Sequence, residues 1–293
     1  MATHDDRNFR STYYEKVGCR SVEEKKSLDI LLKEKPLDKV KLKQFCLRFS
    51  VPSAYRNIVW KLLLDVLPIY VDCHTFIMQQ RKEEYSDLYR TLQILRVVDP
   101  MIHRPQSFYA MWLLQTGQLH FNTNVMKEHS FVHLVQSFMQ FFDDDADIFW
   151  LTSFFYNHIQ KNKSEYGKLA ECTWGFLERE DVALYKHLLK IRGNGELPLE
   201  KWFDSCFAGV LNENALGKIW DKICGGSYKI MSFLVVNLFM NQKHRLLKCI
   251  DTKAVIECLK NIPEETAELI ATKSIDMWQQ NGSPLTIYDK PKI

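Results

Sequence analysis

Residues 51–68, VPSAYRNIVWKLLLDVLP, decide the fold. Pro52 and Ser53 are opening residues for a helix, and Pro68 closes it. Between them Val59, Trp60, Leu63 and Leu64 recur at three- and four-residue steps, the spacing of a single helix face. Arg56 sits on this otherwise apolar helix and needs a partner if it is buried.

The same texture runs outward in both directions. Only 11 glycines and 9 prolines punctuate 293 residues, and apolar residues recur with the helical period in place of strand alternation, so the fold class is all-α. Upstream, helices are predicted over 22–33, which must stop before Pro36, and over 38–48 with Asp38 as N-cap. Downstream they are predicted over 72–95, 106–116, 126–142, 145–161, 165–178, 181–190, 199–209, 213–223, 227–249, 251–260 and 264–280. GNGELP at 193–198 is the clearest loop. The expected organisation is an N-terminal extension (1–20), one helical domain (21–280) of two lobes sharing a core, with a soft boundary near 190–198, and a tail (281–293).

Composition excludes several function classes. With 39 basic and 36 acidic residues the net charge is +3, too balanced to point to nucleic acid. The eight cysteines contain no CxxC pair, which fits reduced, mostly buried thiols better than a zinc ribbon or a disulfide framework. The opening MATHDDRNFR lacks the apolar core of a signal peptide, and the longest apolar run, MSFLVVNLFM at 231–240, is too short for a transmembrane segment. A cytoplasmic protein is expected, recruited to lysosomal or other endomembrane surfaces through partners.

Three local features imitate sites. His129 and His133, four apart, share a helix face but lack a third ligand, so no metal is expected. Asp143, Asp144, Asp145 and Asp147 lack the glycine and glutamate of a calcium loop and read as acidic residues opening a helix. CGGSYKI at 224–230 lacks the order of a phosphate loop and reads as a glycine helix end, with Ser227 capping the next helix. No cofactor is expected.

Three stretches carry a family resemblance. Arg56, Val59, Trp60, Leu63 and Leu64 match the first signature of TBC domains, the fold of Rab GTPase-activating proteins. KWFDSCFAGVLNENALGKIWDKICGGSYKIM resembles the distal signature through Trp202, Phe203, Trp220 and Asp221. Phe149 and Trp150 in DDDADIFWLTSFF resemble the acidic Phe-Trp segment between them. Bottom-up, these aromatics are core builders, and Arg56 and Asp221 are expected to be a paired structural couple.

The resemblance implies a two-finger activity, in which an arginine neutralises charge on the transferring phosphoryl group and a glutamine places the water. A trans-acting arginine is worth on the order of 10³ to 10⁵ in rate. The family carries its arginine on Ile-x-x-Asp-x-x-Arg. Here Asp87, Arg90 and Thr91 match, but Glu84 holds the isoleucine place; Arg96 and Arg104 lack the aspartate. The family's Tyr-x-Gln-Gly motif occurs nowhere, and by spacing its place falls on Phe121 and Thr123, where threonine cannot offer an amide's paired donor and acceptor. Read without the family, Arg90 is one charge on a solvated face, pairing with Asp87 at i, i+3.

The chain is most similar to the short branch of that family that serves as third subunit of the tuberous sclerosis complex. That resemblance implies a non-catalytic subunit that binds the coiled coil of hamartin within the hamartin–tuberin complex and so supports negative regulation of Rheb and mTOR signalling. Its partner-binding residues cannot be assigned from sequence. Two alternatives stay open: an active GTPase-activating protein for a Rab-type small GTPase with Arg90 as finger, and an effector that binds GTP-loaded Rab proteins without turnover.

Overall fold

The computed structural model describes residues 22–98, 102–120, 129–192, 197–260 and 262–281. Among them there is no strand, and no helix is long and apolar enough to cross a membrane. The chain divides into two compact units, one holding described residues 22–83 and 221–227, the other 84–220 and 228–281. Both flanks of the expected boundary at 190–198 belong to the second unit, so the division falls elsewhere.

The first unit opens with α1 (Val22–Leu31), α2 (Lys39–Arg48) and α3 (Ser53–Leu63), α1 packing on α2 and α2 on α3. Asp38 starts α2 by accepting the N–H groups of Val40 and Lys41 at 2.9 and 3.0 Å, two of the donors a helix start leaves unpaired. The helix expected to run to Pro68 ends at Leu63 because Asp65 takes a left-handed φ of 66°, and Val66 N–H returns to the Lys61 carbonyl at 2.9 Å. A 3₁₀ turn (Val71–Cys73) then leads into α4 (His74–Ile94), 21 residues of which only Leu92 is fully buried.

The second unit continues through α5 (Arg104–Gln115), α6 (Ser130–Phe141), α7 (Asp145–Gln160), α8 (Tyr166–Glu180), α9 (Val182–Arg192), α10 (Leu199–Asp204) and α11 (Glu213–Cys224), whose last turn belongs to the first unit. It closes with α12 (Ile230–Asn241), α13 (Lys243–Leu246), α14 (Thr252–Cys258) and α15 (Glu264–Gln280). Its centre is α12, every residue of which from Ile230 to Phe239 is buried; a helix apolar on all sides is a core helix. It packs on α8 and α15. Two polar side chains of α12 are paired within this core: Ser232 Oγ donates to the Leu169 carbonyl at 2.8 Å, and Asn237 Nδ2 to the Phe233 carbonyl at 3.0 Å. Aromatic layers complete the packing, with Trp220 against Phe138 and Phe155 at 4.8 and 4.9 Å.

Three predicted elements are corrected. The helix expected over 199–209 stops at Asp204, because Cys206 and Phe207 both adopt positive φ, 46° and 63°, conformations no helix continues. The helix expected over 227–249 begins at Ile230 and breaks at Gln242. Its N-cap position is held by Lys229 without a side-chain bond, so Ser227 does not cap it.

Candidate functional site

Two groups of residues answer to the family motifs, one exposed on α4 and one buried at the end of α11. On α4, Tyr85 turns inward and lies edge-on to Phe108 and Phe149, at 5.8 and 5.9 Å. Burial pushes its hydroxyl up to about 12. Leu92, two turns on, is fully buried. These anchors fix the rotation of the helix, so Glu84, Asp87, Arg90 and Thr91 emerge into solvent.

Each of these side chains is placed. Glu84, in the family's isoleucine position, accepts from Gln115 Nε2 at 3.2 Å. Thr91 Oγ1 donates to the Asp87 backbone carbonyl at 2.7 Å, a turn-internal bond. The expected Asp87–Arg90 pair is not formed; among the described residues Arg90 makes no ion pair. Phe121 and Thr123 lie outside the described residues.

The other two arginines have structural work. Arg96 sits just past α4 with φ 55°, and around it Arg96 N–H bonds the Gln93 carbonyl and Val97 N–H the Leu92 carbonyl, both at 3.0 Å. That is the paired helix ending in which a left-handed residue, usually glycine, takes the turn. Arg104 opens α5 and ion-pairs with Asp145 in the first turn of α7, where Tyr85 Oη also donates at 3.4 Å.

The buried group is built on Asp221, fully buried in the last turn of α11. Its Oδ2 accepts the Val51 N–H and its Oδ1 the Trp60 Nε1–H, both at 2.9 Å. Arg56 Nε stands 3.6 Å from Oδ1, an ion-pair distance beyond hydrogen-bond reach. Arg56 is itself 8% exposed, and its guanidinium lies 5.9 Å from the Trp60 ring centre. Burial pushes the Asp221 carboxyl up from its ordinary value, while Arg56, the Val51 N–H, Lys222 and Trp60 oppose that rise.

The neighbouring Lys222, also buried, was not singled out by sequence. Its Nζ donates to the Cys46 and Phe49 carbonyls, both at 2.7 Å, where α2 ends and its last carbonyls lack helical partners. Its only sequence signal is a lysine on a strongly amphipathic helix beside Asp221. Two glycines let α11 end here. A Cβ on Gly225 would lie 3.1 Å from Leu47, and Gly226 adopts φ 103°, the same left-handed ending that Arg96 gives α4.

The other signature residues are core. Val59, Trp60, Phe149, Trp150, Phe203 and Trp220 are fully buried; Leu63, Leu64 and Trp202 nearly so. Asp144 caps α7 by accepting the Asp147 N–H at 2.9 Å. His129 caps α6 through Nδ1 to the Phe131 N–H at 3.1 Å, and its ring stacks on Tyr109 at 4.2 Å; burial pulls its pKa down. Among the described residues no group of three or more His, Cys, Asp or Glu is arranged to hold a metal ion.

No family model matches the chain. Individual relatives do. It is 36% identical over 290 residues to human TBC1 domain family member 7, covering 97% of this chain and 99% of the relative. To the Xenopus tropicalis protein of that name it is 37% identical over 285 residues, covering 96% and 97%. The chain belongs to the TBC1 domain family. Two solved structures share the fold of this TBC1-family chain: the Ypt/Rab-GAP domain of Gyp1p, with TM-score 0.62 at 16% identity, covering 89% of this chain and 98% of that one, and a Chlamydomonas flagellar RabGAP TBC domain, with TM-score 0.52 at 13% identity, covering 94% of each.

Proposed function

We propose that this TBC1-family chain is a binding subunit that does not accelerate GTP hydrolysis. The observation that carries the reading is Glu84, a solvent-facing carboxylate bonded to Gln115 in the place where the finger motif has isoleucine. An apolar residue there would help seat the arginine's helix; a carboxylate two turns before Arg90 instead adds negative charge near a finger whose task is to stabilise negative charge. Near full-length similarity to TBC1 domain family member 7 supports the same view. The partner is the coiled coil of hamartin, and the role is to stabilise the hamartin–tuberin complex that restrains Rheb and mTOR signalling, at cytoplasmic and endomembrane sites reached through those partners.

Helix α4 offers a surface for such a partner. Ile94 is 72% exposed. Arg90 and Asp87 precede it by four and seven residues, so all three lie on one helix face. An apolar anchor beside charges on one helix face suits a partner helix. Co-purification with the hamartin coiled coil is expected to be near stoichiometric and to fall sharply in Ile94→Ser; undiminished capture would remove this face.

A second reading is favoured by Arg90 itself, which is exposed and makes no ion pair among the described residues, as a finger must before it meets its GTPase. Single-turnover hydrolysis over a panel of Rab proteins and Rheb separates the two. The binding reading expects no acceleration. A stimulation of several orders of magnitude that is lost in Arg90→Ala would overturn it.

A further inference from the structure

The turn KHRLLKCIDTK, residues 243–253, combines cations with exposed apolar side chains. Residues 243–260 hold five lysines and arginines against two acids, an excess as large as the net charge of the whole chain, so the remainder is balanced. At its tip Ile250 is 83% exposed and Leu247 37%. Isolated exposed apolar residues are ordinary; two of them framed by cations on a rigid turn are not.

The turn is held firmly from below. Leu246 and Cys249 point inward, buried, and His187 on α9 donates Nε2–H to both their carbonyls, at 3.0 and 3.1 Å. Lys243 Nζ pairs with Asp181 at 2.5 Å, which takes that lysine out of the outer charge set. The two acids are engaged as well, Asp251 accepting the Ala254 N–H at 2.7 Å and Glu257 pairing with Lys260 at 2.7 Å. Arg245, whose Nη1 also donates to Gln242 Oε1 at 3.1 Å, is exposed beside Ile250 together with Lys248 and Lys253.

We propose that this turn is a membrane-contacting tip, in which Ile250 and Leu247 enter the headgroup boundary of an anionic phospholipid bilayer while Arg245, Lys248 and Lys253 meet its phosphates. The shape favours lipid over protein. A turn that thrusts its most exposed apolar side chain outward needs a surface that yields around it, and acyl chains demand no matching pocket. The charge favours an anionic leaflet, where each juxtaposed cation is worth about fivefold in partitioning. The contact is direct and independent of any coiled-coil partner, so it would survive failure of the binding-subunit reading.

The test is flotation of the purified chain with vesicles of phosphatidylcholine alone or with added phosphatidylserine, at low and high salt. Binding is expected only to the anionic vesicles and should weaken as salt rises. Ile250→Ser should weaken it by about tenfold, and Arg245→Glu with Lys248→Glu by at least that much. All three positions are exposed, so melting temperatures should be unchanged, which separates lost contact from lost fold. No vesicle binding, equal binding to neutral vesicles, or binding that survives Ile250→Ser at full strength would overturn the proposal. So would capture of an acidic amphipathic helical peptide, lost in the double charge reversal, by a chain that ignores vesicles.

Discussion

Arg56 and Arg90 both sit on family motifs, and their surroundings could hardly differ more. Arg56 is nearly buried, shares its carboxylate with an indole and a backbone amide, and stacks near Trp60. Arg90 stands in solvent, and the aspartate three residues before it leaves it alone. A buried charge must be satisfied or the fold fails, so its partners accumulate; an exposed charge costs almost nothing whether paired or not. Arg56 therefore reports on stability, and Arg90 can report only on what docks against it.

Substitutions sharpen that contrast. The largest effect is expected from Asp221→Ala, which removes the acceptor of the Val51 amide and Trp60 indole bonds and the carboxylate beside the buried Arg56 charge. It should destabilise by about 3 to 5 kcal/mol in denaturant unfolding, and a loss under about 1 kcal/mol would dissolve the distinction. Next comes Lys222→Met, similar in volume but unable to donate to the Cys46 and Phe49 carbonyls, with an expected cost of about 1 to 3 kcal/mol by the same assay. Arg96→Gly should move the other way. Glycine relieves the left-handed backbone at the end of α4, and a gain of about 1 kcal/mol is expected in the free energy of unfolding. Smallest is Arg90→Ala, within about 0.5 kcal/mol of the parent; a larger loss would mean that α4 relies on a contact Arg90 makes.

Much of the fold was legible because helix burial writes a local period into the sequence. Leu28, Trp60 and Leu63 sit on the faces that a 3.6-residue repeat assigns to the core. Helix ends were less legible. Asp65, Cys206 and Phe207 take left-handed φ values that glycine would have announced, and these residues gave no such sign. The break at Gln242 had no proline or glycine to mark it.

The site was legible only in part. Arg56 and Asp221 stood out as charges on apolar helices, but their partners come from residues about 170 positions apart in sequence, as the Val51–Asp221 bond does, and no local pattern encodes such a meeting. Lys222 was missed because a lysine beside an aspartate ordinarily reads as solvated surface. That Asp87 would ignore Arg90 depends on side-chain rotamers, which spacing alone does not set.

The central helix α12 has a cost that the folded molecule conceals. Its segment IMSFLVVNLF, hidden on every side, carries no charge and no proline and includes adjacent valines, the composition of a self-associating strand once uncovered. A chain that opens around it presents to its surroundings the signal that chaperones and degradation machinery read. Destabilising changes such as Asp221→Ala should then appear in cells as lowered abundance before any partner is lost.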